Sequence, residues 1–217
     1  MRRTVFWVSS LLLVSTIEAA PLTLSFDPAG PVVSGATASG EVAWMGVSRL
    51  PRRYYQEVSS VRKTVQADAA GTATLPLEAP APRRSVWVAV DIVSGSFAVG
   101  TPEDFPLREE ALTRAQLSFE PQRSATQLVL RHQVAEVLLV RPGVGAWSLE
   151  VMDGHEQDRD GTADLSVSVD LASLEPLGTA SAPASLQAGD VLVVLDPNRL
   201  TVLAAPITAG LLSEGGR

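Results

Sequence analysis

The chain has 217 residues, a formal net charge of −7, 46% hydrophobic residues and no cysteine. An acidic balance argues against a nucleic-acid partner, which requires a basic footprint. The missing thiol removes disulfide frameworks, thiol catalysis, cysteine–zinc sites and lipidation of an N-terminal cysteine, so the fold must be held by its core alone.

Residues 1–20 read as a signal peptide. Arg2 and Arg3 make a basic start, Val5 to Val14 is mostly apolar, and Ile17-Glu-Ala-Ala20 offers small residues for cleavage. The apolar run is about ten residues against the roughly 20 that a membrane-spanning helix needs, so a retained anchor is the weaker reading. The mature chain is therefore expected outside the cytoplasm, in the periplasm or beyond. Its roughly 200 residues suffice for one or two cores.

The elements that follow carry strand signals. Val42, Trp44 and Gly46 alternate with Glu41, Ala43 and Met45, and Val58 to Ala67 is rich in β-branched residues. Val86 to Val93 is apolar on both faces, the mark of a central strand covered on each side. Leu107, Ala111, Leu112 and Ala115 recur at three and four, so Leu107 to Leu117 is the one helical candidate, with an edge strand as its rival. Val134 to Val140 is apolar except for Glu136. Trp147, Leu149 and Val151 alternate with Ser148, Glu150 and Met152, and Leu165, Val167, Val169 and Leu171 with Ser166, Ser168 and Asp170. Val191 to Leu195 again is apolar throughout. Clusters of Pro, Gly, Ser and Asp punctuate these runs at short intervals, which favours sandwiches or barrels over βαβ units.

Three internal echoes keep chain order. Leu24-Ser-Phe-Asp-Pro28 returns as Leu117-Ser-Phe-Glu-Pro121, and Asp68-Ala-Ala-Gly-Thr-Ala-Thr-Leu75 as Asp158-Arg-Asp-Gly-Thr-Ala-Asp-Leu165. Val86-Trp-Val-Ala-Val-Asp91 matches Val191-Leu-Val-Val-Leu-Asp196. A tandem duplication with loop drift leaves this pattern. The expected fold is all-β, with two tandem β-sandwich-like modules at 21–108 and 109–217.

The Asp-x-x-Gly-Thr-Ala-x-Leu turn leading into a strand resembles bacterial immunoglobulin-like and carboxypeptidase-regulatory-like sandwich modules. The likeness covers about ten residues of each module. It implies a stalk, spacer or adhesive module of an exported protein, without catalysis.

Between Trp147–Met152 and Leu165–Leu171 lies the densest run of carboxylates, 153–164, expected as an acidic hairpin tip. With Glu156 at the first position of a calcium loop, Asp158 and Asp160 take the third and fifth and Gly161 the sixth. The carbonyl of Thr162 takes the seventh and Asp164 the ninth, a set of oxygen ligands suited to calcium. The twelfth position is Val167, where an EF-hand has a bidentate glutamate, and an Asp-Gly turn forms without metal. The matching turn of the first module keeps Asp68 and Gly71 with Ala69 and Ala70 between them, so the extra acids are peculiar to the second module.

Charge is split between the modules. From 21 to 108 acids and bases balance, whereas 109–217 carries fifteen acids against seven bases. The balanced half concentrates its arginines in Arg49-Leu-Pro-Arg-Arg-Tyr-Tyr55, Arg62-Lys63 and Arg83-Arg84. Arg49, Arg52, Arg53, Tyr54 and Tyr55 make a candidate partner site, since arginine beside tyrosine grips carboxylates and anionic glycans by forked and stacked contacts. The rival reading is a loop of snorkelling side chains or a face that meets the acidic module.

Catalytic motifs are missing from the sequence. His132 and His155 form no H-E-x-x-H pair, Gly95-Ser-Phe-Ala-Val lacks the second glycine of a nucleophile elbow, and no glycine-rich phosphate loop occurs. Trp44, Trp87 and Trp147 sit in strand patterns that suit core packing. The function expected is that of an exported, non-enzymatic structural or interaction module. The alternative is a calcium-dependent adhesion or carbohydrate-binding protein.

Overall fold

The computed structural model describes residues 21–51, 56–102, 108–110, 127–130, 134–152, 167–196 and 201–213. The first half holds β1 (Thr23–Asp27), β2 (Gly30–Ser34), β3 (Glu41–Pro51), β4 (Gln56–Gln66), β5 (Ala73–Thr74), β6 (Ser85–Asp91) and β7 (Phe97–Gly100). The second holds β8 (Arg108–Glu110), β9 (Gln127–Leu130), β10 (Val134–Arg141), β11 (Gly145–Met152), β12 (Val167–Asp170), β13 (Glu175–Pro176), β14 (Val191–Asp196) and β15 (Thr201–Pro206). A 3₁₀ turn at Leu171–Ser173 and the short helix α1 (Ala209–Ser213) complete the described elements. The chain is all-β.

The strands form four sheets, ordered β1-β2-β5, β4-β3-β6-β7, β13-β11-β10-β14-β15-β8 and β12-β9. Within them β4-β3-β6-β7 and β11-β10-β14-β15 have the same order of hairpins and crossovers. Every described pairing is antiparallel except β15 with β8.

Alternation along β6 and β14 explains how the sheets stack. Val86, Val88 and Val90 of β6 join Val191, Val193 and Leu195 of β14 in one buried cluster, together with Ala43, Met45 and Val47 of β3 and Leu138 and Val140 of β10. The two main sheets therefore meet face to face, and the residues that correspond in the internal echo line the seam from both sides. The intervening residues point away from it. Trp87 and Ala89 pack with Val42, Trp44, Val33 and Leu75 under the β1-β2-β5 sheet. Leu192 and Val194 pack with Val137, Leu139, Trp147, Leu171, Leu186 and Ile207 on the far side.

Because each main sheet is covered on both faces, β6 and β14 are buried at every position. The same cover buries Val42, Ala43, Trp44 and Met45 in succession, although their alternation with Glu41 suggests a half-wet strand. Close approach also fixes one composition detail. Gly46 lies opposite Trp87, and a Cβ there would run into the indole ring.

Three expectations need correction. The strands flanking 153–164 do not form a hairpin: β11 pairs with β10 and β13, while β12 pairs with β9, so the acidic segment links two different sheets. Within Leu107–Leu117 the helix gives way to its rival reading at Arg108–Glu110, an edge strand running parallel to β15; Leu107 and 111–117 lie outside the described residues. Leu171 belongs to a 3₁₀ turn and not to the preceding strand.

Candidate functional site

The two main sheets are joined by polar contacts at one edge of the seam. Val134–Val140 is an apolar run in which Glu136 is the exception, and the structure supplies the partner that such a carboxylate needs. Glu136 of β10 is directly opposite Glu150 of β11. Arg62 of β4 reaches across from the other sheet, its Nε 3.5 Å from Glu136 Oε2 and its Nη2 3.4 Å from Glu150 Oε2. Beside them Thr64 Oγ1 donates to the Leu177 carbonyl at 3.2 Å.

Burial raises the Glu136 carboxyl above its ordinary value; the Arg62 charge and a hydrogen bond with Ser60 oppose the shift, and Glu150 adds to it. Arg62 offers Glu136 charge but no well-formed hydrogen bond, since Glu136 Oε2 has no hydrogen-bond partner. Like charges placed directly opposite repel, so the guanidinium from the facing sheet, close to both carboxylates, offsets part of a repulsion that would otherwise weaken β10–β11 pairing.

Two other buried carboxylates are structural. Asp91 at the end of β6 accepts from Thr37 N–H at 3.0 Å, Thr37 Oγ1 at 2.6 Å, Val93 N–H at 3.0 Å and Ser94 Oγ at 2.8 Å. Burial alone pushes its carboxyl up, but these hydrogen bonds together hold it below its ordinary value. Asp190 is gripped by a forked Arg141, with Nε to Oδ1 and Nη2 to Oδ2 both at 2.8 Å. Arg141 Nη2 also donates to the Ser185 carbonyl at 2.7 Å, which ties down the Ser-Ala-Pro-rich crossing at 178–185. The hydrogen bonds from Arg141 to Asp190 raise the guanidinium further.

Of the two Asp-x-x-Gly-Thr-Ala-x-Leu segments, only Asp68–Leu75 lies within the described residues. Asp68 Oδ1 accepts from the Ala70 and Thr72 N–H groups at 2.8 and 2.9 Å. Gly71 holds φ at 77° and its carbonyl accepts from Ala36 N–H at 3.0 Å, a position where a Cβ would collide with the Ala36 carbonyl. One aspartate and one glycine close this turn completely. This turn links different sheets, since β4 pairs with β3 and β5 with β2.

The β3–β4 hairpin stands out for its length. It runs from Glu41↔Gln66 to Pro51↔Gln56, whereas β6 supports β3 only from Val42 to Ser48. The pairs Arg49↔Val58, Leu50↔Glu57 and Pro51↔Gln56 therefore extend past the last β6 partner as an arm that is two-stranded among the described residues. Arg49 lies on this arm; Arg52, Arg53, Tyr54 and Tyr55, which connect its strands, lie outside the described residues.

The calcium candidates Glu156, Asp158, Asp160, Thr162 and Asp164 likewise lie outside the described residues, as do His132 and His155. Among the described residues no group of three or more His, Asp or Glu is placed to hold a metal ion. A crevice of about 40 Å³ between Glu41, Thr64, Ile92 and Gly145 holds a water or two at most. Trp44, Trp87 and Trp147 are buried, so none of the three contributes to an exposed aromatic platform. No helix among the described residues is long and apolar enough to cross a membrane. The Arg62–Glu136–Glu150 cluster is the group sequence reasoning missed; the isolated glutamate in an apolar strand was its signal.

No family model matches the chain, and no curated protein does. Among solved structures it is similar to red sea bream transglutaminase, with 13% identity over 87% of this chain and 31% of that one, and a TM-score of 0.22. The chain thus spans about a third of that structure's length, and the likeness bears on neither fold nor function.

Proposed function

We propose that the chain is an exported, non-enzymatic structural or interaction protein that presents the β3–β4 arm to a partner at the cell exterior. The observation that carries this reading is the arm's reach: three residue pairs project beyond β6 from a scaffold buried on both faces. Its connecting segment is Arg52-Arg-Tyr-Tyr55, so the projection ends in the densest arginine–tyrosine run of a chain whose net charge is −7. Guanidinium forks and tyrosine rings suit carboxylate-bearing glycans or acidic protein segments. Titration with a polyuronate, a sulfated glycan, an acidic peptide and a neutral glycan tests it. The anionic ligands should bind better than the neutral one, and Arg52→Ala/Arg53→Ala should abolish the difference. Equal binding of anionic and neutral ligands, or an unaffected double variant, would sink the reading.

A second reading is calcium binding by Glu156, Asp158, Asp160, Thr162 and Asp164, for calcium-dependent adhesion or carbohydrate binding. It is favoured by the Asp68 turn, which closes with one aspartate, so a turn of this pattern does not require the extra acids of the second module. Affinity should be extracellular in grade, about 10⁻⁴–10⁻³ M. At 100 times the dissociation constant, calcium should add about 2.7 kcal/mol of stability, lost in Asp158→Ala/Asp160→Ala. An unchanged melt with no heat of binding would dismiss it.

A further inference from the structure

The outer edge of β4 is long and regular. Its eleven residues pair with β3 in continuous register, without a bulge or a proline between Gln56 and Gln66. β4 ends the order of its sheet, so among the described residues no strand pairs with its outer side.

The hydrogen-bond phase shows which residues face that side. Ala67 N–H donates to the Gly40 carbonyl at 2.8 Å, and Ile92 N–H to the Glu41 carbonyl at 2.9 Å. Since bonded and non-bonded pairs alternate in an antiparallel ladder, even-numbered residues of β3 bond to odd-numbered residues of β4. The N–H and C=O groups of Gln56, Val58, Ser60, Arg62, Thr64 and Gln66 therefore point outward. A row of this kind is a template for another strand.

We propose that this edge pairs with the same edge of a second copy, antiparallel about a two-fold axis at Ser60. Outward-facing residues must oppose outward-facing residues, so only registers that set even against even are allowed. That condition forbids Glu57 opposite Arg62 and permits Glu57 opposite Lys63, which occurs in the register centred on Ser60 and by symmetry occurs twice. In it Val58 is opposite Arg62 and Gln56 opposite Thr64. Lys63, the lone lysine of the chain, is exposed. Charge on an edge strand usually prevents pairing; here it selects one register.

The same register gives each projecting arm a third strand. Gln56 to Val58 lie beyond the β6-supported part of the hairpin, and a two-stranded ribbon alone is marginal in water. In the dimer these residues run beside Arg62 to Thr64 of the second copy, and the two four-stranded sheets become one of eight. The pairing is independent of what the Arg52–Tyr55 segment binds.

Sedimentation equilibrium of the purified protein tests this directly. A concentration-dependent dimer is expected. Lys63→Glu and Glu57→Lys should each weaken it about ten-fold, and the double reversal should restore it. Val58→Pro removes an outward N–H without touching the β3 ladder and should leave a monomer whose thermal melt is otherwise that of the arm-intact protein. A monomer at every accessible concentration would overturn the proposal, and so would a dimer indifferent to charge reversal and to Val58→Pro.

Discussion

Arg62 of β4 and Glu136 of β10 meet across the seam between the two main sheets, Nε to Oε2 at 3.5 Å, with the side chains 24% and 3% exposed. A carboxylate this deeply buried depends on the cation facing it, which among the described residues is Arg62. Arg62→Ala should therefore destabilise the protein by about 2–3 kcal/mol at neutral pH, less than a fully buried pair because the arginine is partly solvated. Adding Glu136→Gln should recover most of the loss. Urea unfolding of the two variants at one pH gives both numbers.

The Glu136 carboxyl also sets a pH dependence. Its folded value is raised above 4.5, so the folded state holds the proton more tightly than the unfolded state. The contribution of this residue is most favourable below that value and declines as pH rises through the folded one. Parent minus Glu136→Gln stability should fall on going from mildly acidic to alkaline solution and then level off. A difference that does not change with pH would contradict the assignment; among the described residues Arg62 and Glu150 are the charges that face the group.

Asp91 behaves oppositely. Its lowered carboxyl contributes stability above the ordinary 3.8, which is lost as pH falls through the folded value. Asp91→Ala removes the acceptor of four hydrogen bonds and should cost about 3 kcal/mol at pH near 7. The penalty should shrink in strong acid, as thermal melts of parent and variant at the two pH values would report.

The seam makes each half a part of the other's core. Leu138 of β10 shares its cluster with Met45 of β3 and Val88 of β6. Leu138→Ala should cost about 2–5 kcal/mol, depending on how far the site collapses. Amide hydrogen exchange should lose protection in β3 and β6 as well as in β10. Loss confined to β10 and its own sheet neighbours would show that the halves respond separately.

Much of this fold was legible in local pattern. Val86–Val90 and Val191–Leu195 are apolar at consecutive positions, which demands cover on both faces, and both strands are buried throughout. What covers those faces is not written in either strand, because the partner sheet lies in the other half of the chain. The Asp-Gly turn signal located the acidic segment but not the strands it joins. Turn chemistry is local, whereas the pairing of β12 with β9 depends on residues far away in sequence. Helical periodicity at Leu107–Leu117 gave way at Arg108–Glu110 to an open edge on β15. Glu136 stood out as an interruption, and only the stacking of the sheets reveals Arg62 as its partner. Of the sites read from sequence, Arg49 falls on the projecting arm, while the other named residues fall outside the described chain.

Scanning calorimetry of the purified protein is the direct test of a scaffold fused through one shared cluster. A single transition whose calorimetric and van't Hoff enthalpies agree is expected, shifted as a whole by Leu138→Ala. Two resolved transitions, with only the second-half transition moved by Leu138→Ala, would mean that the halves fold as independent modules and that the seam does not unite them.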